Sequence, residues 1–99
     1  MEQPPSQTQR DPYTVYIGKK PVMNYVLACL TLFQNENAGV TVKARGKSIS
    51  KAVDVAQILT KRFATNVIVK KIVIDTEQVK SAETGEMNNV SSIEIKLGK

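Results

Sequence analysis

The run from Val67 to Lys80 is fourteen residues of largely β-branched, alternating character, and it limits the fold more than any other stretch of this chain. Strands usually run about 5 to 6 residues, and at about 3.3 Å per residue this one would reach roughly 45 Å. A strand of that length outruns its sheet. The segment Ala82 to Asn89, centred on Thr84-Gly85, reads as a turn, and Val90 to Leu97 returns with Ile93, Ile95 and Leu97 facing inward. The last two strands are therefore expected to form a hairpin whose distal part projects as an arm.

Upstream, Tyr13 to Ile17 alternates with Tyr13, Val15 and Ile17 on one side, which predicts a first strand. Pro21 opens a helical pattern at the first helical position, where its missing N–H costs nothing. Val22, Val26, Cys29 or Leu30 and Phe33 recur at helical spacing, and Met23, Leu27 and Leu30 form a second apolar row. A helix apolar beyond one stripe needs two covering surfaces, of which the sheet is one and a second subunit a candidate for the other. Gln34 to Gly39 is a polar stop with Gly39 as the expected C-cap. Val40, Val42 and Ala44 then alternate with Thr41, Lys43 and Arg45, a half-buried strand with a basic outer face. Gly46 breaks it, Ser48 or Ser50 is expected to cap a second helix, and Ile49, Ala52 or Val53, Ala56, Leu59 and Phe63 form that helix's inward stripe.

The order β-α-β-α-β-β predicts an α/β fold of the α+β sandwich kind. Parallel crossovers and an antiparallel final pair give a four-stranded mixed sheet with both helices on one face. Residues 13–99 make one domain, and residues 1–12, polar and carrying Pro4, Pro5 and Pro12, read as a loose tail with no apolar segment of a secretion signal. The apolar Val22–Phe33 stretch falls well short of the roughly 20 residues of a membrane helix.

Charge is unevenly spread. The chain totals +5, yet between Lys19 and Lys71 ten basic residues stand against two acids. Such concentration reads as a footprint for a polyanion, with nucleic acid ahead of a membrane surface and an ordinary solvated surface as the bland alternative. Lys19 and Lys20 follow the first strand, Lys43 and Arg45 lie on the outer face of the second, and Lys47 and Lys51 open the second helix. Adjacent parallel strands bring Lys19, Lys20, Arg45 and Lys47 to one edge, where helix N-terminal N–H groups also favour phosphate oxygens.

Chemistry of other kinds finds little support. Gly46-Lys47-Ser48 resembles the end of a nucleotide-binding P-loop, but the pattern needs a glycine where this chain has Thr41. One cysteine and no histidine exclude Cys/His metal sites and leave Cys29 a core residue, in a reducing setting. Asp75 and Glu77 share a strand face, more often a solvated edge than an acid/base pair. No enzymatic activity, metal or cofactor is expected, and a small phosphate-ester or acyl-phosphate enzyme is the most distant alternative.

Two stretches, Ile17-Gly18-Lys19-Lys20-Pro21-Val22-Met23-Asn24-Tyr25-Val26 and Lys43-Ala44-Arg45-Gly46-Lys47-Ser48-Ile49-Ser50-Lys51-Ala52-Val53-Asp54, resemble the Alba family of archaeal chromatin proteins. The resemblance covers nearly everything from Val15 to Leu97. It implies an initiation-factor-like α/β homodimer that coats and compacts double-stranded DNA with little sequence preference and also binds RNA, in the cytoplasm on the chromosome. An RNA-binding subunit that protects or remodels structured RNA is the nearest alternative.

The family's lysine pair falls on Lys19 and Lys20, which are also the expected acetylation sites, and its other basic contacts fall on Arg45 and Lys47. Its dimer-to-dimer contact corresponds to Phe63 beside Arg62, with a core phenylalanine as the other reading of Phe63. The family's arm commonly carries arginines that reach a minor groove. Here the distal loop is acidic, leaving groove contact to Lys80, Asn88 and Asn89.

Overall fold

In the computed structural model, which describes residues 12–34 and 39–99, the elements run β1 (Thr14–Tyr16), α1 (Val22–Gln34), β2 (Gly39–Arg45), α2 (Ile49–Ile58), β3 (Ile68–Lys80) and β4 (Met87–Gly98). A 3-10 turn over Gly46–Ser48 leads into α2 and a π-helical turn over Leu59–Phe63 extends it. Except for Pro12, the expected tail lies outside the described residues, as do positions 35–38 of the expected polar stop.

The sheet has the order β1-β2-β4-β3, with β1 parallel to β2 and β4 antiparallel to both its neighbours. Thus β3 runs in the direction of β2 without pairing to it. Burial explains the insertion, because the inward residues Ile95 and Leu97 of β4 are covered by the helices and belong in the centre. The more exposed β3 takes the edge.

Two apolar stripes build the core beneath the sheet. On α1 they are Tyr25, Val26, Cys29 and Phe33, and on α2 Ala52, Val55 and Ala56, joined by Leu59. Val40, Val42, Ile95 and Leu97 face them from the strands. Each fully buried Val or Leu here contributes about 1.5–3 kcal/mol of hydrophobic stabilisation. Of the second row on α1, Leu30 is partly buried and packs against this core, while Met23 and Leu27 stay outside it, exposed.

Four expectations are corrected. Gly39 is the first residue of β2, opposite Gly98, rather than a helix cap. Neither serine caps α2 through its side chain: Ser48 holds the N-cap position in helical backbone because the 3-10 turn feeds directly into the helix, and Ser50 lies inside it. Phe63 leaves the inward stripe and is 49% exposed, because Ala64 N–H bonds the Leu59 carbonyl at 2.7 Å and the widened turn rotates the residue outward. The hairpin tip is also tighter than Ala82–Asn89. Ser81 and Glu86 close it by a 2.8 Å bond, Gly85 supplies a φ of 77°, and Asn88 and Asn89 pair across from Val79 and Gln78.

The expected arm is present. β4 pairs with β2 only from Ser92 to Gly98, so Met87–Ser91 and their β3 partners project beyond the sheet body. The molecule's longest dimension is 45 Å.

Candidate nucleic-acid interface

The loop from β1 to α1 carries Lys19 and Lys20, both exposed. Its backbone is held from two directions. The buried Tyr25 of α1 turns its hydroxyl oxygen toward the loop, accepting the N–H of Gly18 at 2.9 Å and that of Lys20 at 3.1 Å. From α2, the Lys51 ammonium donates to the Gly18 carbonyl at 3.0 Å and to the Lys20 carbonyl at 2.8 Å.

Those bonds also join two segments distant in sequence. Lys51 stands in the first turn of α2, just after the turn that exposes Lys47, so the loop and that turn meet. Because β1 and β2 are parallel neighbours, Lys19, Lys20, Arg45 and Lys47 all leave the sheet at the same edge. Gly46, with φ of 60°, makes the reversal from β2 into the turn.

Lys43 and Arg45 have acidic partners on the sheet face turned away from the helices. Lys43 pairs with Glu94 at 3.0 Å and lies 5.9 Å from the Tyr16 ring centroid. The hydrogen bond to Glu94 holds its ammonium above the usual lysine range, with burial opposing. Arg45 pairs with Glu77 at 3.1 Å. Together with Asp75 and Ser92 these groups line a groove of about 520 Å³ whose walls carry both charges.

The arm leaves from the same edge. Arg45 is opposite Ser92, and Asn89 lies three residues further out along β4, about 10 Å at ~3.4 Å per residue. Lys80, Asn88 and Asn89 are all exposed. Glu83 and Glu86 flank the tip, so Lys80 faces an acidic loop.

Elsewhere, Arg62 and Phe63 are exposed together at the end of the second helix. On β3, register places Ile72 beside Ile95 and Ile74 beside Ile93, on the helix side of the sheet. Neither helix packs substantially on β3, and Ile72 and Ile74 are 57% and 75% exposed.

Tyr25 is the residue that sequence reading missed. Its spacing to Cys29 and Phe33 places it on the core stripe, and a buried tyrosine requires a hydrogen-bond partner for its hydroxyl. Lys51, expected among the polymer-binding cations, has two of its three donors engaged by main-chain carbonyls. Among the described residues, no group of three or more His, Cys, Asp or Glu side chains converges to hold a metal ion.

A family model described as Alba matches residues 13–76. The chain is 57% identical over 86 residues to the DNA/RNA-binding protein Alba 1 of Archaeoglobus fulgidus, covering 87% of this chain and 94% of that protein. It is 55% identical over 86 residues to the DNA/RNA-binding protein Alba of Methanococcus maripaludis, covering 86% and 96%. The solved structure of Alba from Thermoplasma volcanium superposes with a TM-score of 0.82 at 49% identity, covering 87% of this chain and 99% of that one.

Proposed function

The chain belongs to the Alba family, and on that premise we propose that it is a sequence-nonspecific nucleic-acid-binding protein that coats and compacts double-stranded DNA and also binds RNA. The relatives named above are called DNA/RNA-binding proteins, which supports both partners and suggests a non-enzyme associated with the nucleoid. The observation that carries the reading is the braced loop of Lys19 and Lys20 beside the Lys47 turn, at the edge from which the arm projects.

Phosphate oxygens are the natural ligands of such a constellation. Lys19, Lys20 and Lys47 supply point charges, and Arg45 supplies a planar fork once it leaves Glu77. Positional contacts of this kind carry no base information, so affinity falls steeply with salt and varies little with sequence. Lys80, Asn88 and Asn89 reach the duplex from the arm, whose acidic tip limits how far it enters a groove.

The functional unit in this reading is a homodimer. Met23, Leu27, Ile72 and Ile74 are apolar and exposed in the single chain, and burial against a second copy would cover them. Pairing doubles the charge of +5 to +10. Arg62 and Phe63, exposed at the end of the second helix, provide a contact between dimers along the polymer. Acetylation of Lys19 or Lys20 would remove a charge from the grip and weaken it.

The test is a salt series. The double variant Lys19→Glu, Lys20→Glu is expected to lose most affinity for a DNA duplex while keeping its circular dichroism spectrum. Unchanged binding across the series would reject the site. A matched RNA duplex in the same series measures the balance between the two polymers.

A further inference from the structure

We infer that Lys51 and Tyr25 are positioning residues, which together fix the backbone on either side of Lys19 so that the Lys19 and Lys20 ammonium groups are presented in one geometry. This rests on the phosphate-gripping reading of those two lysines.

The bonding pattern is complementary and complete at two residues. Gly18 and Lys20 each give their N–H to the Tyr25 hydroxyl and each have their carbonyl taken by the Lys51 ammonium. Every main-chain polar group flanking Lys19 at those two positions is thus engaged. Pro21 follows with its fixed φ, so the far end of the loop is stiff as well. Tyr25 is buried and anchored in α1, whereas Lys51 stands on α2, so the loop is referenced to both helices.

Rigidity matters here because a lysine ammonium on a mobile loop must be ordered at the moment of binding, and that cost subtracts from affinity. With the backbone already fixed, only the two side chains are ordered. Lys51 contributes through its bonds to the carbonyls rather than by reaching the polymer itself. Its two short contacts point at the loop, and Tyr25, which carries no charge, does the matching work on the N–H groups.

Amide hydrogen exchange in the free protein and a double-mutant cycle in binding test this together. Lys51→Met and Tyr25→Phe are each expected to accelerate exchange of the Gly18 and Lys20 amides by on the order of tenfold, the loss of a charged or buried hydrogen bond. Their thermal unfolding is to remain a single cooperative transition. Unchanged exchange in both variants would overturn the inference.

In binding to a DNA duplex at fixed salt, Lys51→Met is expected to weaken the otherwise unchanged protein about tenfold and to have no effect in a Lys19→Gln, Lys20→Gln background. Equal weakening in both backgrounds would overturn the inference, since it means Lys51 meets phosphate directly. If the Lys19→Gln, Lys20→Gln protein itself binds as tightly as the unchanged one, the phosphate reading fails instead, and the exchange rates alone decide the bracing.

Discussion

The Arg45 guanidinium and the Glu77 carboxylate meet at 3.1 Å across the outer face of the sheet, joining the last residue of β2 to the base of the arm. Ser92 is opposite Arg45 and Val90 is opposite Glu77, so the pair bridges diagonally over β4. Both side chains are about half exposed, and such surface pairs are worth about 0–1 kcal/mol. A phosphate can therefore displace Glu77, but only by overcoming that attraction. Glu77→Gln is expected to tighten duplex binding by up to about fivefold at low salt, with the gain fading as salt screens the pair. Fluorescence anisotropy at two salt concentrations checks this, and equal affinities of the two proteins at low salt would count against it.

Much of this arrangement was legible in the residues. Strict alternation in Val40–Arg45 and in Ile93–Leu97 gave the buried faces of β2 and β4, and the long β-branched run gave β3 and its arm. Parallel pairing of β1 and β2 brought Lys19 and Lys47 to one edge as periodicity and crossover rules require. What stayed hidden depends on contacts between distant segments. No local pattern says that Lys51 will bond carbonyls 31 and 33 residues away, or that Glu77 will meet Arg45 across an intervening strand. The outward turn of Phe63 was hidden for another reason, because the π-helical turn over Leu59–Phe63 shifts the helical phase without any sequence mark.

Ile74 offers a test of the paired molecule. It is 75% exposed on the helix side of β3, yet it sits in register with Ile93 on the apolar face. Because it is so exposed in the single chain, Ile74→Asp is expected to leave the monomer fold intact while placing a charge in the proposed dimer contact, where desolvation penalises it. Sedimentation equilibrium is expected to shift from dimer to monomer. A variant that remains dimeric at the same concentration would remove β3 from the interface.

Cys29 has no solvent exposure, and burial pushes its thiol from about 9 up to about 12. The native protein is therefore expected to resist iodoacetamide at neutral pH and to be labelled only on unfolding. The raised value also has a sign in stability. The folded state favours the neutral thiol, so that contribution is full below pH 9, where the unfolded thiol is also neutral, and is lost as pH rises from 9 toward 12. The stability advantage of the unchanged protein over Cys29→Ala should narrow by about 1 kcal/mol between pH 8 and pH 10. Urea unfolding at the two pH values reads it directly, and a constant difference would contradict the assignment.

Gly46 carries a φ of 60° at the point where β2 reverses into the turn that exposes Lys47. A β-carbon there would stand 3.5 Å from a methyl of Val90, an ordinary contact, so space is not what demands glycine. The demand comes from the backbone, since a left-handed conformation costs an L-residue about 1–2 kcal/mol. Gly46→Ala is expected to destabilise the protein by about 1 kcal/mol in urea unfolding. If the turn relaxes to escape the strain, Lys47 moves away from the Lys19 and Lys20 loop, and duplex affinity falls as well. Gly85→Ala is the matched comparison, because its φ of 77° lies at the arm tip with its nearest contact, the Lys80 side chain, 3.9 Å away. It should cost a similar amount of stability without moving Lys47. Equal losses of affinity in the two variants would show that the Gly46 turn has no particular part in presenting Lys47 to phosphate.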